Sequence, residues 1–276
     1  MERIKQALAR AREERQSGDV SLLDIKSRED HQAIAQNDDL NFEYTQTKIF
    51  EPDQKLLKKN RILIDKDHDR ANAAYKLLRT QVEQRMLAKN WNTLAITSPG
   101  PNHGKSLTSI NLAISLAKSS HHTVLLVDLD MRKPSVHRYF GYEPEYGIYD
   151  CISEDLPLEK ILVNPGIERL VLAPGKQSIY NSSELLASPN MGKLVDEMRN
   201  RYRSRYIIFD LPPVLATDDA MAFSPYVDAT LLVLEDGVTV KDQLKQTLEM
   251  LQGTEIIGTV LNKSKSKKGN YYYYYY

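Results

Sequence analysis

A run of five strand-like residues, Thr93–Thr97, breaks into Ser98-Pro99-Gly100-Pro101-Asn102-His103-Gly104-Lys105-Ser106 and then into a helical pattern. No other stretch constrains the fold as strongly. A strand, a loop of glycine, proline and asparagine, and Gly-Lys-Ser at a helix start form a phosphate cradle. Its backbone N–H groups turn inward, and the helix N-terminus adds a favourable dipole. Asn102, His103, Gly104, Lys105, Ser106 and Leu107 are the candidate nucleotide-binding residues. Within them Lys105 is expected to reach the β- and γ-phosphates, and Ser106 to offer its hydroxyl to Mg2+. The usual first glycine, six positions before the lysine, is Pro99 here, and Asn102 stands where glycine is easier. Asparagine tolerates left-handed backbone better than most residues.

The rest of the chain supplies the strands that such a cradle needs beside it. Thr123–Asp128, Leu170–Ala173, Tyr206–Asp210, Ala229–Leu234 and Glu255–Leu261 read as short apolar strands, with helices over 104–119, 190–202 and 240–251. This alternation predicts an α/β fold, a mostly parallel sheet with helices on both faces. A helix over about 69–88 precedes it, with Ala74, Leu77, Leu78 and Val82 on one face. Residues 1–60 are polar and read as a leader, with an amphipathic helix over Met1–Gln16. The domain is then expected over 61–262, followed by a flexible lysine-rich tail over 263–276.

Parallel sheets bind ligands beyond the carboxyl ends of their strands, and two further motifs sit at such ends. Leu125-Leu126-Val127-Asp128-Leu129-Asp130-Met131-Arg132-Lys133 places two carboxylates at i and i+2 after a buried strand. One carboxylate suits Mg2+ and the other suits accepting a hydroxyl proton, while Arg132 and Lys133 can counter phosphate charge. Phe209-Asp210-Leu211-Pro212-Pro213 ends another strand on an acid, where a P-loop protein places a second magnesium contact. Together the three motifs predict an ATP·Mg2+ site.

Composition narrows the rest. With 37 basic and 37 acidic residues the formal charge is zero, so charge gives no pull toward nucleic acid. The single cysteine, Cys151, excludes an internal disulfide framework and reads as a small buried residue. No apolar run approaches bilayer length, so the protein is expected in the cytoplasm. The chain also carries six consecutive tyrosines, Tyr271, Tyr272, Tyr273, Tyr274, Tyr275 and Tyr276. Six rings in a row cannot alternate between core and solvent, which makes them candidate phosphoacceptors. They lie 9 to 14 residues beyond Asn262, a reach of roughly 30–46 Å if extended.

In these features the chain resembles the bacterial protein tyrosine kinases of capsule and exopolysaccharide systems. The resemblance rests on Gly104-Lys105-Ser106, Asp128-Leu129-Asp130-Met131-Arg132, Asp210-Leu211-Pro212-Pro213, Asn181-Ser182-Ser183-Glu184-Leu185-Leu186 and the tyrosine cluster. It implies a P-loop NTPase fold of the MinD/ParA type adapted to phosphorylate tyrosine with ATP and Mg2+. Lys105, Asp128, Asp130 and Arg132 would be catalytic, with Asp128 assisting deprotonation of the tyrosine. Ser106, Asp128, Asp130 and Asp210 would surround the metal, and Asn262 would contact the adenine ring. It further implies a separate membrane-spanning activator, of the chain-length-determinant kind, that recruits the kinase to the inner face of the membrane. A homo-oligomer and a tyrosine phosphatase complete the implied partners.

One departure stands out. Where the family's oligomerisation helix carries Glu-x-x-Arg-x-x-Arg, this chain reads Ala73-Ala74-Tyr75-Lys76-Leu77-Leu78-Arg79 and keeps only the last arginine. Two rival readings remain: a MinD/ParA-like switch ATPase, and a nucleotide-binding scaffold with a docking tail. The first normally has an extra lysine at the position of Gly100.

Overall fold

Strand β1 (Lys48–Ile49) and helix α1 (Gln54–Lys59) open the computed structural model, which describes residues 47–64, 70–119, 122–201 and 205–264. The expected helix over Met1–Gln16 and the tyrosines 271–276 lie outside the described residues. Next come α2 (Arg70–Ala88), β2 (Thr93–Thr97), α3 (Lys105–Ser119), β3 (Thr123–Asp128), α4 (Val136–Phe140) and α5 (Ile148–Ser153). They are followed by β4 (Val163–Asn164), β5 (Leu170–Ala173), α6 (Ser182–Leu186), α7 (Pro189–Asn200) and β6 (Arg205–Asp210). Helix α8 (Asp219–Phe223), β7 (Ala229–Glu235), α9 (Lys241–Met250) and β8 (Ile256–Asn262) complete the order.

The eight strands form one sheet in the order β1-β4-β5-β3-β6-β2-β7-β8. Strands β5, β3, β6, β2, β7 and β8 run parallel, and β4 meets β5 antiparallel. The central strands β2, β3 and β6 are buried at every position, as strands covered on both faces must be. Alternate residues serve opposite layers. Leu94, Ile96, Val124, Leu126, Tyr206 and Ile208 pack with α2 and α3 residues in one core. On the other layer α7 buries Met191, Leu194, Val195 and Met198, a helical i, i+3, i+4, i+7 stripe. Its start is set by Pro189 and by Ser188, whose hydroxyl accepts from the Met191 N–H at 3.2 Å.

Residues 47–60, placed with the polar leader on composition, belong to this packed body. Lys48 and Ile49 pair with Val163 and Asn164, and Leu57 is 2% exposed in the core. Burying such a leucine contributes about 1.5–3 kcal/mol. Asn111 of α3 holds the following turn, donating to the Arg61 carbonyl at 3.1 Å and accepting from the Leu63 N–H at 2.9 Å.

Helix α2 differs from its expected face. Val82 and Met86 are its buried residues, whereas Ala74 and Leu77 are exposed. The C-terminal half sets the contact: Arg85 reaches across to the Ile257 carbonyl of β8 at 2.6 Å. Arg79 pairs with Glu83 on its own helix at 3.7 Å and approaches the Ser115 carbonyl of α3. Cys151 is buried, and burial pushes its thiol up to about 12, so it stays protonated and unreactive near neutral pH.

Candidate active site

The loop from Ser98 to Gly104 takes its shape from two left-handed residues, Asn102 at φ 63° and Gly104 at φ 91°. At Gly104 the requirement is also steric, because an added Cβ would collide with the amide nitrogen of Asn262. That nitrogen donates to the His103 carbonyl at 2.8 Å. Lys263 donates through Nζ to the Asn102 carbonyl at 2.7 Å and to Glu235 Oε2 at 2.9 Å. The end of β8 thus braces the cradle. Asn262, expected at the adenine ring, is placed first of all as a buttress of the loop. Burial holds the His103 imidazole below its ordinary pKa, so it is neutral at pH 7.

The opposite wall comes from the loop after β6. Thr97 donates to the Pro212 carbonyl at 2.6 Å, and the Val214 and Leu215 N–H groups donate to Ser98 and Pro99 carbonyls at 2.9 and 3.1 Å. The two prolines, which cannot donate, keep this loop extended against the cradle.

Lys105 opens α3 and turns its ammonium into a nest of carboxylates. Its Nζ lies 2.5 Å from Asp130 Oδ2, 3.8 Å from Asp210 Oδ2 and 3.3 Å from the Ser106 hydroxyl. Burial alone would lower its pKa, but Asp210 and Asp130 outweigh that and hold it raised. Asp128 and Asp210 follow the same alternation that points Val124, Leu126, Tyr206 and Ile208 toward α3, and they are register partners across β3 and β6. Asp128 Oδ2 accepts from the Ser135 and Val136 N–H groups at 2.8 and 2.9 Å. Asp210 Oδ1 accepts from the Ser109 hydroxyl at 3.1 Å. Burial, with the Asp210 charge second, pushes Asp128 up to about 7, and burial also raises Asp210.

Asp128 Oδ1 and Asp210 Oδ2 are buried without a hydrogen-bond partner among the described residues. Two such oxygens beside the Ser106 hydroxyl are hard-cation donors, so the residues present fit Mg2+. Beside Leu107 and Asn262 lies a cavity of about 470 Å3, walled by Leu57, Ile62, Tyr75 and Asn111.

The structure therefore gathers Lys105, Ser106, Asp128, Asp130 and Asp210 at one point. Arg132 is held by a different set of partners. Its Nε donates to Asp219 Oδ1 at 3.4 Å, its Nη2 lies 3.9 Å from Asp218, and its guanidinium sits 5.8 Å from the Tyr180 ring. Asp218 and Asp219 were not legible as site residues, because they follow Asp210 by eight and nine positions with no local motif around them.

Known proteins resemble this chain over much of its length. An AAA domain family model matches residues 93–254. The tyrosine-protein kinase YwqD of Bacillus subtilis (strain 168) is 32% identical over 196 residues, covering 70% of this chain and 81% of YwqD. The chain belongs to the bacterial tyrosine-protein kinases. The kinase domain of Escherichia coli tyrosine kinase ETK shares the fold of this tyrosine-kinase chain with a TM-score of 0.69 and 28% identity, over 82% of this chain and 93% of that domain. The succinoglycan biosynthesis transport protein ExoP of Rhizobium meliloti (strain 1021) is 31% identical over 74% of the chain. Several of the kinase relatives are much longer proteins, of which the chain spans between 24% and 30%, and it spans 26% of ExoP. No helix among the described residues is long and apolar enough to cross a membrane.

Proposed function

We propose that the protein is an ATP-dependent protein-tyrosine autokinase. It transfers the γ-phosphoryl group of ATP to tyrosines 271–276 and thereby regulates exopolysaccharide or capsule synthesis or export. The observation that carries this reading is the 2.5 Å contact between Lys105 Nζ and Asp130 Oδ2. It joins the phosphate-binding lysine to the Asp-x-Asp-x-Arg segment that ordinary P-loop ATPases lack.

Phosphoryl transfer needs positioning and charge neutralisation more than covalent chemistry. On this reading the cradle residues Asn102, His103, Gly104, Lys105 and Ser106 bind the phosphates, and the cavity beside Leu107 and Asn262 takes the base and ribose. Ser106, Asp128, Asp130 and Asp210 would hold Mg2+, which when bound neutralises charge on the phosphate oxygens. Lys105 moves from its carboxylates to the β- and γ-phosphates. The tyrosine oxygen forms a bond to the γ-phosphorus as the bridging β–γ P–O bond breaks and ADP leaves. The phenol proton passes to Asp128, the carboxylate expected to assist deprotonation. Arg132 offsets charge on the transferring group.

The tail rises from Lys263, itself fixed to the cradle, so its reach covers a neighbouring subunit's site as well as its own. A homo-oligomer, a membrane-spanning activator in trans that draws the kinase to the inner membrane face, and an opposing phosphatase fit this scheme. The relative named for succinoglycan biosynthesis transport supports the link to exopolysaccharide. Incubation with ATP·Mg2+ and immunoblotting tests the activity. Phosphotyrosine that disappears in Lys105→Met supports it, and release of free phosphate without phosphotyrosine favours a switch ATPase instead.

A further inference from the structure

Asp219 is fully buried, yet it lies nine residues beyond Asp210, and its side-chain partners among the described residues are Ser182 and Arg132. Its two oxygens are both engaged. Oδ2 accepts from the Ser182 hydroxyl at 2.5 Å and Oδ1 accepts from Arg132 Nε at 3.4 Å. The turn carrying Arg132 is also tied down through its backbone. The Ser178 hydroxyl donates to the Arg132 carbonyl at 2.5 Å, and the Ile179 N–H donates to the Met131 carbonyl at 2.8 Å. The loops after β3, β5 and β6 therefore meet at one arginine.

We propose that Asp219 is a positioning residue for the transfer reaction, acting by fixing the guanidinium of Arg132. The proposal rests on the kinase reading above. Asp219 and Asp218 occupy the Nε/Nη2 edge of the guanidinium, and the exposed Tyr180 ring lies 5.8 Å from it. The Arg132 side chain stays 34% exposed, so on the kinase reading its remaining edge is left for the transferring group. An arginine side chain has substantial rotamer entropy to lose. Losing it on folding, against Asp219, leaves less to be lost when the phosphoryl group arrives. The buried carboxylate in turn needs a counter-charge, which Arg132 provides.

Two variants separate this role from mere packing. Asp219→Asn keeps an oxygen for Ser182 but removes the charge facing Arg132; Ser182→Ala does the reverse. In the full chain, Asp219→Asn is expected to slow phosphotyrosine formation about tenfold with the KM for ATP within about twofold, and that loss shrinks below about twofold in an Arg132→Met background. Ser182→Ala is expected to stay within about threefold of the unmodified rate even though it loses a buried hydrogen bond. Equal losses with and without Arg132, or a Ser182→Ala defect as large as that of Asp219→Asn, overturns the proposal. Nuclear magnetic resonance of the Arg132 Nε–H reads the same contact without any activity. A protected resonance that averages to the solvent-exposed position in Asp219→Asn supports it, and an unchanged resonance overturns it. If the unmodified chain forms no phosphotyrosine even with a membrane extract supplying the activator, the kinase reading fails, and the resonance still decides whether Asp219 fixes Arg132.

Discussion

Asp128 and Asp210 face each other as register partners at the carboxyl ends of β3 and β6, both wholly buried, with Lys105 3.8 Å from Asp210. Two carboxylates this close and this dry resist ionising together. They are arranged for a cation rather than for the folded chain alone.

The first consequence is a pH dependence of stability. Asp128 sits near 7 in the folded chain against about 4 for an unfolded aspartate, so between those values the folded state binds more protons. Stability that is present below pH 4 is therefore lost as pH rises through 7. Differential scanning calorimetry of the metal-free protein should show Tm falling across this window, with a flatter profile in Asp128→Asn. Excess ATP·Mg2+ should reduce the fall.

Removing Lys105 leaves Asp130 and Asp210 facing each other without their cation. Lys105→Met is expected to lower phosphotyrosine formation at least about a hundredfold. It should also cost about 3–5 kcal/mol of stability at pH 8, and less at pH 5, because burial raises the pKa of Asp210 and favours its neutral form. Urea unfolding at the two pH values checks the second part; an equal loss at both would contradict the carboxylate nest.

Gly104→Ala places a Cβ against the Asn262 amide at a φ of 91°. The left-handed backbone alone costs about 1–3 kcal/mol for a residue with a side chain. Because Asn262 must also release the His103 carbonyl, ATP affinity measured by calorimetry should fall more than affinity in Asn262→Ala, which removes the same brace without the strain.

Phosphorylation of the tail should act on assembly through charge. Six phosphates add about −9 to −12 charges beside Lys263, Lys265, Lys267 and Lys268. Light scattering before and after phosphatase treatment should show a larger assembly in the dephosphorylated protein. An unchanged mass would sink the charge-switch idea.

What was legible in the chain follows from distance along it. The cradle, Asp128-x-Asp130 and Asp210-Leu211-Pro212-Pro213 each consist of contiguous residues at a strand end, so local pattern fixes both the element and the chemistry. Contacts between distant residues left no such trace. Asn262 reaches His103 across 159 positions, and Arg132 finds Asp219 across 87. The two-residue strands β1 and β4 are too short for a period to register. Leu77 reads as core because it follows Ala74 by three positions on the expected face. Only the packing shows that α2 buries its later turns and leaves Leu77 53% exposed.

The most direct test of the kinase reading is mass spectrometry of the 263–276 peptide after the full chain is incubated with ATP·Mg2+ and a membrane extract supplying the activator. The account predicts multiple phosphates on tyrosines 271–276, absent in Lys105→Met and strongly reduced in Asp128→Asn. ATP turned over to free phosphate while all six tyrosines remain unmodified would contradict it.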